Sequence, residues 1–187
     1  MFEDIENKHK NLISIAINYM NTITDKEHDI NHMNDVVKYT KKILMNIKEQ
    51  VDIDVCIIGA YWHDVGRTKI QNGHEKISAQ MLTENMKKLN YEEEFIKKCS
   101  DSIEFHKWNM TPKTMEGLVV KDADKIAWLG RGRWQSCLEN NYRLDELIDL
   151  LPKLRNDILY FEYTKKLYDE EIVKLVSILY NKIYNKQ

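Results

Sequence analysis

The chain has 187 residues, 43% of them apolar and 31% charged, and carries a net charge of −2. That length suits one ordinary domain with a sizeable core, while so small a net charge excludes a strong electrostatic pull toward nucleic acid or anionic lipid. Only two prolines and six glycines punctuate the sequence, which argues against an architecture of many short strands and tight turns.

Taken in order, the apolar positions recur at helical spacing. Leu12, Ile13, Ala16, Ile17, Tyr19 and Met20 predict a first helix from about Ile5 to Thr22. A polar stretch from Asp25 to Asp29 follows, and Asn31 is the expected cap of a second helix, His32 to about Lys48. The longest apolar run, Val55 to Gly66, reads as a central helix beginning near Asp54 and entering the core. Arg67 to Gly73 is a polar connector with two cations, Arg67 and Lys69. Further helices are expected over His74–Leu89, Glu92–His106 and Met115–Leu129, with Thr111-Pro112 as a break. Gly130 to Trp134 reads as a loop. The remainder, from about 140 to 187, predicts a C-terminal helical extension that includes helices over Leu154–Tyr168 and Glu170–Tyr184. No repeat or linker divides the chain, so the expectation is one all-α domain spanning 1–187. Three widely spaced cysteines, Cys56, Cys99 and Cys137, suit a reducing compartment. Met1-Phe2-Glu3-Asp4 is acidic where a signal peptide would be basic, and no apolar run approaches the ~20 residues that span a bilayer. The expected location is cytoplasmic, with no membrane partner.

The central run ends in His63-Asp64. Desolvating a histidine beside a carboxylate costs several kcal/mol unless something compensates, and a metal ion does so. The competing reading is a salt-bridged helix end. A bare His-Asp pair is weak evidence, since His28-Asp29 is a second copy in a polar stretch. Context separates them, because only His63-Asp64 ends the most apolar helix. His32, early in the second helix, is the best third ligand. Asp122 and Asp124 flank Ala123 after the apolar Leu118-Val119-Val120, and one of the two is the expected fourth. Imidazole with carboxylate suits divalent Mn, Fe, Co, Ni or Zn, with Mg also admitted. Such an ion activates water and polarises a phosphoryl oxygen. Arg67, Lys69 and Lys125 lie within a few residues of these ligands, as a site for a phosphorylated substrate requires. Trp62, Trp128 and Tyr61 read as core packing, His9 as a cap or surface residue, and Arg131 and Arg133 as a solvated turn rather than a nucleic-acid patch.

The order of these residues resembles the HD-domain superfamily of metal-dependent phosphohydrolases. His28-Asp29-Ile30-Asn31-His32 is similar to its opening segment, in which the second histidine binds metal. Trp62-His63-Asp64-Val65-Gly66-Arg67 is similar to its central element, usually Leu-His-Asp-Ile-Gly-Lys. Gly73-His74-Glu75 and Ile103-Glu104-Phe105-His106 resemble the two histidine segments that follow in many members. Val120-Lys121-Asp122-Ala123-Asp124-Lys125-Ile126 resembles the last segment, where the Asp before Lys or Arg is the ligand. The matches run from His28 to about Gly132. The family's usual Arg-Val in the opening segment is Asp35-Val36 here, which removes a cation.

The resemblance implies an HD-type helical bundle with a metal held by His32, His63, Asp64 and Asp124. It favours Asp124 over Asp122, keeps His28 and Asp122 as secondary site candidates, and implies either a second metal or a substrate-positioning role for His74 and His106. It also implies hydrolysis of a nucleotide or related small phosphate ester, with Asp64, Arg67, Lys69 and Lys125 taking part in catalysis. A regulatory module that binds a nucleotide without turnover is the alternative. A nucleic-acid-binding helical protein is the weaker third, and a homo-oligomer is compatible with all three.

Overall fold

The computed structural model describes residues 1–25, 28–129 and 144–184, and among these every regular element is helical, as expected. In chain order these are α1 (Phe2–Lys8), α2 (Lys10–Met20), α3 (Ile30–Leu44), α4 (Ile53–Trp62), α5 (His74–Lys88), α6 (Glu93–Glu104), α7 (Met115–Trp128), α8 (Leu144–Lys153) and α9 (Glu162–Tyr184). A 3₁₀ turn, Val65–Thr68, separates α4 from α5, and a π-helical turn, Leu154–Ile158, follows α8. Among the described residues no helix is long and apolar enough to cross a membrane. Arg131, Arg133, Trp134 and Cys137 lie outside the described residues.

The organising element is α4. It is apolar on every side, and a helix of that kind must be surrounded. Val55 and Ile58 face Leu12 and Ala16 of α2, Leu82 and Met86 of α5 and Ile103 of α6. Cys56 and Ala60 face Val36 and Val37 of α3, Ala123 and Ile126 of α7 and Phe161 and Leu167 of the C-terminal part. Val55 to Ala60 are all fully buried. Gly59 lets α6 and α7 close on α4, since a Cβ there would meet Ser102 Oγ and Val120 Cγ2, each at 2.8 Å.

Several boundaries differ from expectation, each for a local reason. The first helix is two, because the backbone at His9 departs from helical geometry (φ −104°, ψ 17°). The distortion buries the ring, which stacks near Tyr91 and Phe95 and pairs with Tyr91 Oη at 2.8 Å and Asp54 at 3.0 Å. His9 is therefore not a surface residue. Asp29, not Asn31, caps α3 by accepting from the amides of Asn31 and His32, which fixes the turn that carries His32. Asp52 caps α4, which begins at Ile53, beside the expected Asp54. The two helices expected over Leu154–Tyr168 and Glu170–Tyr184 are one long α9 preceded by the π-helical turn. Asp122 of α7 sets its start. That carboxylate accepts from the amides of Tyr160 and Phe161 at 3.0 Å and from the Thr164 hydroxyl.

Candidate metal centre

Five elements deliver side chains to one buried place. His32 comes from the first turn of α3, and His63 and Asp64 from the end of α4. His74 opens α5, His106 follows α6, and Asp124 lies on α7. All six are buried. They form two groups of three, His32–His63–Asp124 and Asp64–His74–His106, and within each group the donor atoms lie within 4.8 Å of one another.

Asp64 stands between the groups. Its Oδ2 is 3.8 Å from His32 Nε2 and 3.6 Å from His63 Nε2, while its Oδ1 is 3.0 Å from His74 Nε2 and 3.5 Å from His106 Nε2. Asp124 Oδ1 closes the first group at 3.1 Å from His32 Nε2 and 4.0 Å from His63 Nε2.

The histidine tautomers follow from what the other ring nitrogen touches. His63 Nδ1 faces Ala60 O at 2.9 Å, His74 Nδ1 faces Gln71 O at 2.9 Å, and His106 Nδ1 faces Ile103 O at 2.7 Å. A carbonyl only accepts, so each Nδ1 carries a proton, and in the neutral ring Nε2 keeps the lone pair. His74 Nε2 and His106 Nε2 face each other at 3.2 Å, and His63 Nε2 faces His32 Nε2 at 3.4 Å. Asp64 Oδ1 is buried and receives no hydrogen bond. Imidazole lone pairs converging on carboxylate oxygens repel one another unless a cation lies among them. This donor set, nitrogen with carboxylate oxygen and a hydrogen-bonded far side on three imidazoles, fits a divalent metal.

The electrostatics agree. Burial pushes His63 down to about 3, so its ring is neutral at physiological pH. Burial alone would raise the Asp64 and Asp124 carboxyls. It is outweighed at Asp64 by the imidazoles, His63 first, and by Arg67, and at Asp124 by Lys125 and then by His32 and His63, so both lie well below the usual carboxylate range.

The other expected residues divide. Arg67 places Nε 2.9 Å from Asp64 Oδ2 and remains partly exposed, at the rim of the cluster. Lys125 is buried and ion-pairs with Asp124 Oδ2. Lys69, at the end of the 3₁₀ turn, is exposed, and the structure does not bring it to the cluster. His28 pairs with Asp25 at 2.9 Å and sets its ring edge-on to His32, outside both groups. Asp122 is the clear departure, because its carboxylate is committed to capping α9. Burial raises it to about 6 against the pull of Thr164 and the two amides. Two residues that sequence reasoning passed over support the second group. Lys107 Nζ lies 3.3 Å from buried Glu75 Oε2, tying the residue after His106 to the residue after His74. Their adjacency to those histidines was the available signal.

The two aspartates are therefore expected to separate cleanly. Asp122→Ala should cost roughly 2–4 kcal/mol of stability, since it orphans a hydroxyl and two amides, and leave metal content unchanged. Asp124→Ala should do the reverse. Urea denaturation with elemental analysis of both variants decides it, and equal metal loss would undo the assignment.

Comparison with known proteins supplies the wider context. The HD domain family matches residues 29–129, just over half of the chain. Comparison with curated proteins gave no match. A crystal structure from an uncultured Thermotogales bacterium, described as a predicted HD superfamily hydrolase, superposes with a TM-score of 0.71 at 18% identity, covering 96% of this chain and 94% of that one. At that identity the likeness speaks to the fold, which extends beyond the matched segment to the C-terminal helices. The profile match, with its histidines and aspartates gathered as described, shows that the chain belongs to the HD-domain family.

Proposed function

We propose that the protein is a two-metal phosphohydrolase acting on a small phosphate ester, a nucleotide being the favoured substrate. The observation that carries the reading is the division of the Asp64 carboxylate, one oxygen toward each group of donors. Two divalent ions held in this way would supply an activated water and a clamp for the attacking and leaving oxygens. His32, His63 and Asp124 would hold one, and His74 and His106 the other, with Asp64 shared.

The chain's own groups have separable tasks. The carbonyls of Ala60, Gln71 and Ile103 fix three of the rings so that Nε2 stays a donor to metal. Lys125 balances Asp124 and orients it. Arg67 is placed to meet phosphate oxygens, because it reaches Asp64 while part of its side chain stays accessible. Gln71 steadies its guanidinium through Nη1 at 3.1 Å. Lys69 has no task in this scheme. A module that binds without turnover would not need both groups complete.

Elemental analysis of protein purified without chelator should give two ions per chain, falling to about one in the His74→Ala, His106→Ala double variant. A panel of nucleotides and simple phosphate esters with Mn²⁺, Co²⁺ or Mg²⁺ should release phosphate or pyrophosphate from the parent. One ion in the parent, unchanged in the double variant, refutes the second site. Binding without product release would favour the regulatory alternative.

A further inference from the structure

Beside the metal centre lies a cleft of about 390 Å³ lined by Trp108, Asn109, Leu150, Lys153, Asp157 and Ile158. Its size falls within the range of small-molecule sites. Its lining surface is overwhelmingly apolar. Trp108 follows His106 by two residues, and its ring is only partly buried. Two side chains brace the ring. Lys125 Nζ sits 5.1 Å from its centroid, and Trp128 meets it at 5.2 Å with the planes 86° apart. Lys125 is also the partner of Asp124. One lysine therefore joins the aromatic wall of the cleft to a carboxylate of the metal centre, which sets the cleft one side chain away from the site where phosphate would bind.

We infer that this cleft is the subsite for the organic part of the substrate, and that it takes the planar base of a nucleotide stacked on Trp108 between Leu150 and Ile158. The inference rests on the phosphohydrolase reading above. A flat, braced indole suits a flat ligand, and the aliphatic Leu150 and Ile158 line the cleft with it. The polar groups, Asn109, Lys153 and Asp157, are all exposed. They stand at the mouth, where an edge of the base remains solvated. The cleft thus grips the π-face, which every base has, and discriminates weakly among bases. The glycosidic side of the nucleotide points toward Lys125 and its phosphate toward Arg67 and the metal ligands.

Two variants and two ligands test this. Leu150→Trp fills the cleft from α8 without touching Lys125 or the metal ligands. Trp108→Phe keeps an aromatic face over Lys125 and serves as the conservative replacement. In the metal-loaded parent, calorimetry should show nucleoside 5′-monophosphates binding roughly tenfold more tightly than glycerol phosphate, as one base stack provides, with little spread among the four bases. In Leu150→Trp that advantage should vanish while glycerol phosphate binding stays within about twofold, and Trp108→Phe should retain most of it. Turnover of the corresponding esters should follow the same pattern in kcat/KM. Equal affinity of the parent for both ligands, or an advantage that survives Leu150→Trp, overturns the subsite. Discrimination in binding with no hydrolysis of either compound leaves the subsite standing and removes the phosphohydrolase reading instead.

Discussion

Asp64→Ala is expected to abolish turnover, lowering it by at least roughly a thousandfold, the scale of several kcal/mol of metal-derived transition-state stabilisation. The argument is one of charge. The second donor group contains two imidazoles, which bind metal in their uncharged form, and a single carboxylate oxygen, that of Asp64. Without it no negative charge remains there to hold a divalent ion, and Arg67, now lacking its partner, adds a repulsive one. The first group keeps Asp124, so partial metal content at one ion per chain is the expected remainder. Asp64→Asn should behave almost as severely, since it retains shape and loses charge. A binding readout separates this from misfolding. Excess Mn²⁺ should raise the melting temperature of the parent, by the linkage that gives about 2.7 kcal/mol at a hundredfold excess over Kd, and raise that of Asp64→Asn much less. Full metal content together with preserved turnover in either variant would sink the assignment.

How much of this was legible beforehand depends on whether the information is local. The apolar α4 ending in His63-Asp64 could be read directly, because burial on every side and a charged terminus are both visible along the chain. The pairing of His32 with Asp124 was reached through motif order, since nothing in the spacing of residues 92 positions apart states that α3 and α7 meet. Motif order favoured Asp124 over Asp122, but the task of Asp122 could not be read. It and Asp124 have the same chemistry and the same apolar context, and Asp122 is engaged by the start of α9, nearly forty residues downstream. The same holds for His9, whose burial depends on Tyr91 and Phe95 across the fold. The start of α3 was misplaced because Asp29, two residues before the expected Asn31, offered the better cap. Lys69 was expected at the site through its nearness in sequence to Asp64. The 3₁₀ turn carries it outward, with Gly66 O accepting the amides of Lys69 and Ile70. Trp108 was hidden differently, because a lone tryptophan beside a histidine carries no signal until α8 and the following turn complete the cleft.

Gly66→Ala is expected to have the second large effect, on fold and centre together. Gly66 lies in the 3₁₀ turn immediately after the ligand pair, and its amide donates to Ser78 Oγ of α5 at 2.8 Å. A Cβ built there would lie 2.2 Å from the carbonyl oxygen of His74 and 2.6 Å from the amide nitrogen of Ser78. These are backbone atoms, so no side-chain rotation relieves the clash, and the turn and the first turn of α5 must separate. Overpacking of this kind costs about 3 kcal/mol or more, or roughly 6–12 °C in Tm for a domain of this size. Because His74 is the residue pushed, the second donor group should open while His32, His63 and Asp124 stay in register. The variant should therefore keep one ion and lose the other. Gly73→Ala provides the control beside the same histidine. Gly73 has φ +88° and nothing within 4 Å of an added Cβ, so alanine there meets only backbone strain, about 1–2 kcal/mol, and should leave both ions bound. Chemical denaturation and metal analysis on the two variants should rank them in that order. If Gly66→Ala is no more destabilising than Gly73→Ala and retains two ions, the turn and α5 are not in backbone contact, and the placement of His74 opposite Asp64 falls with it.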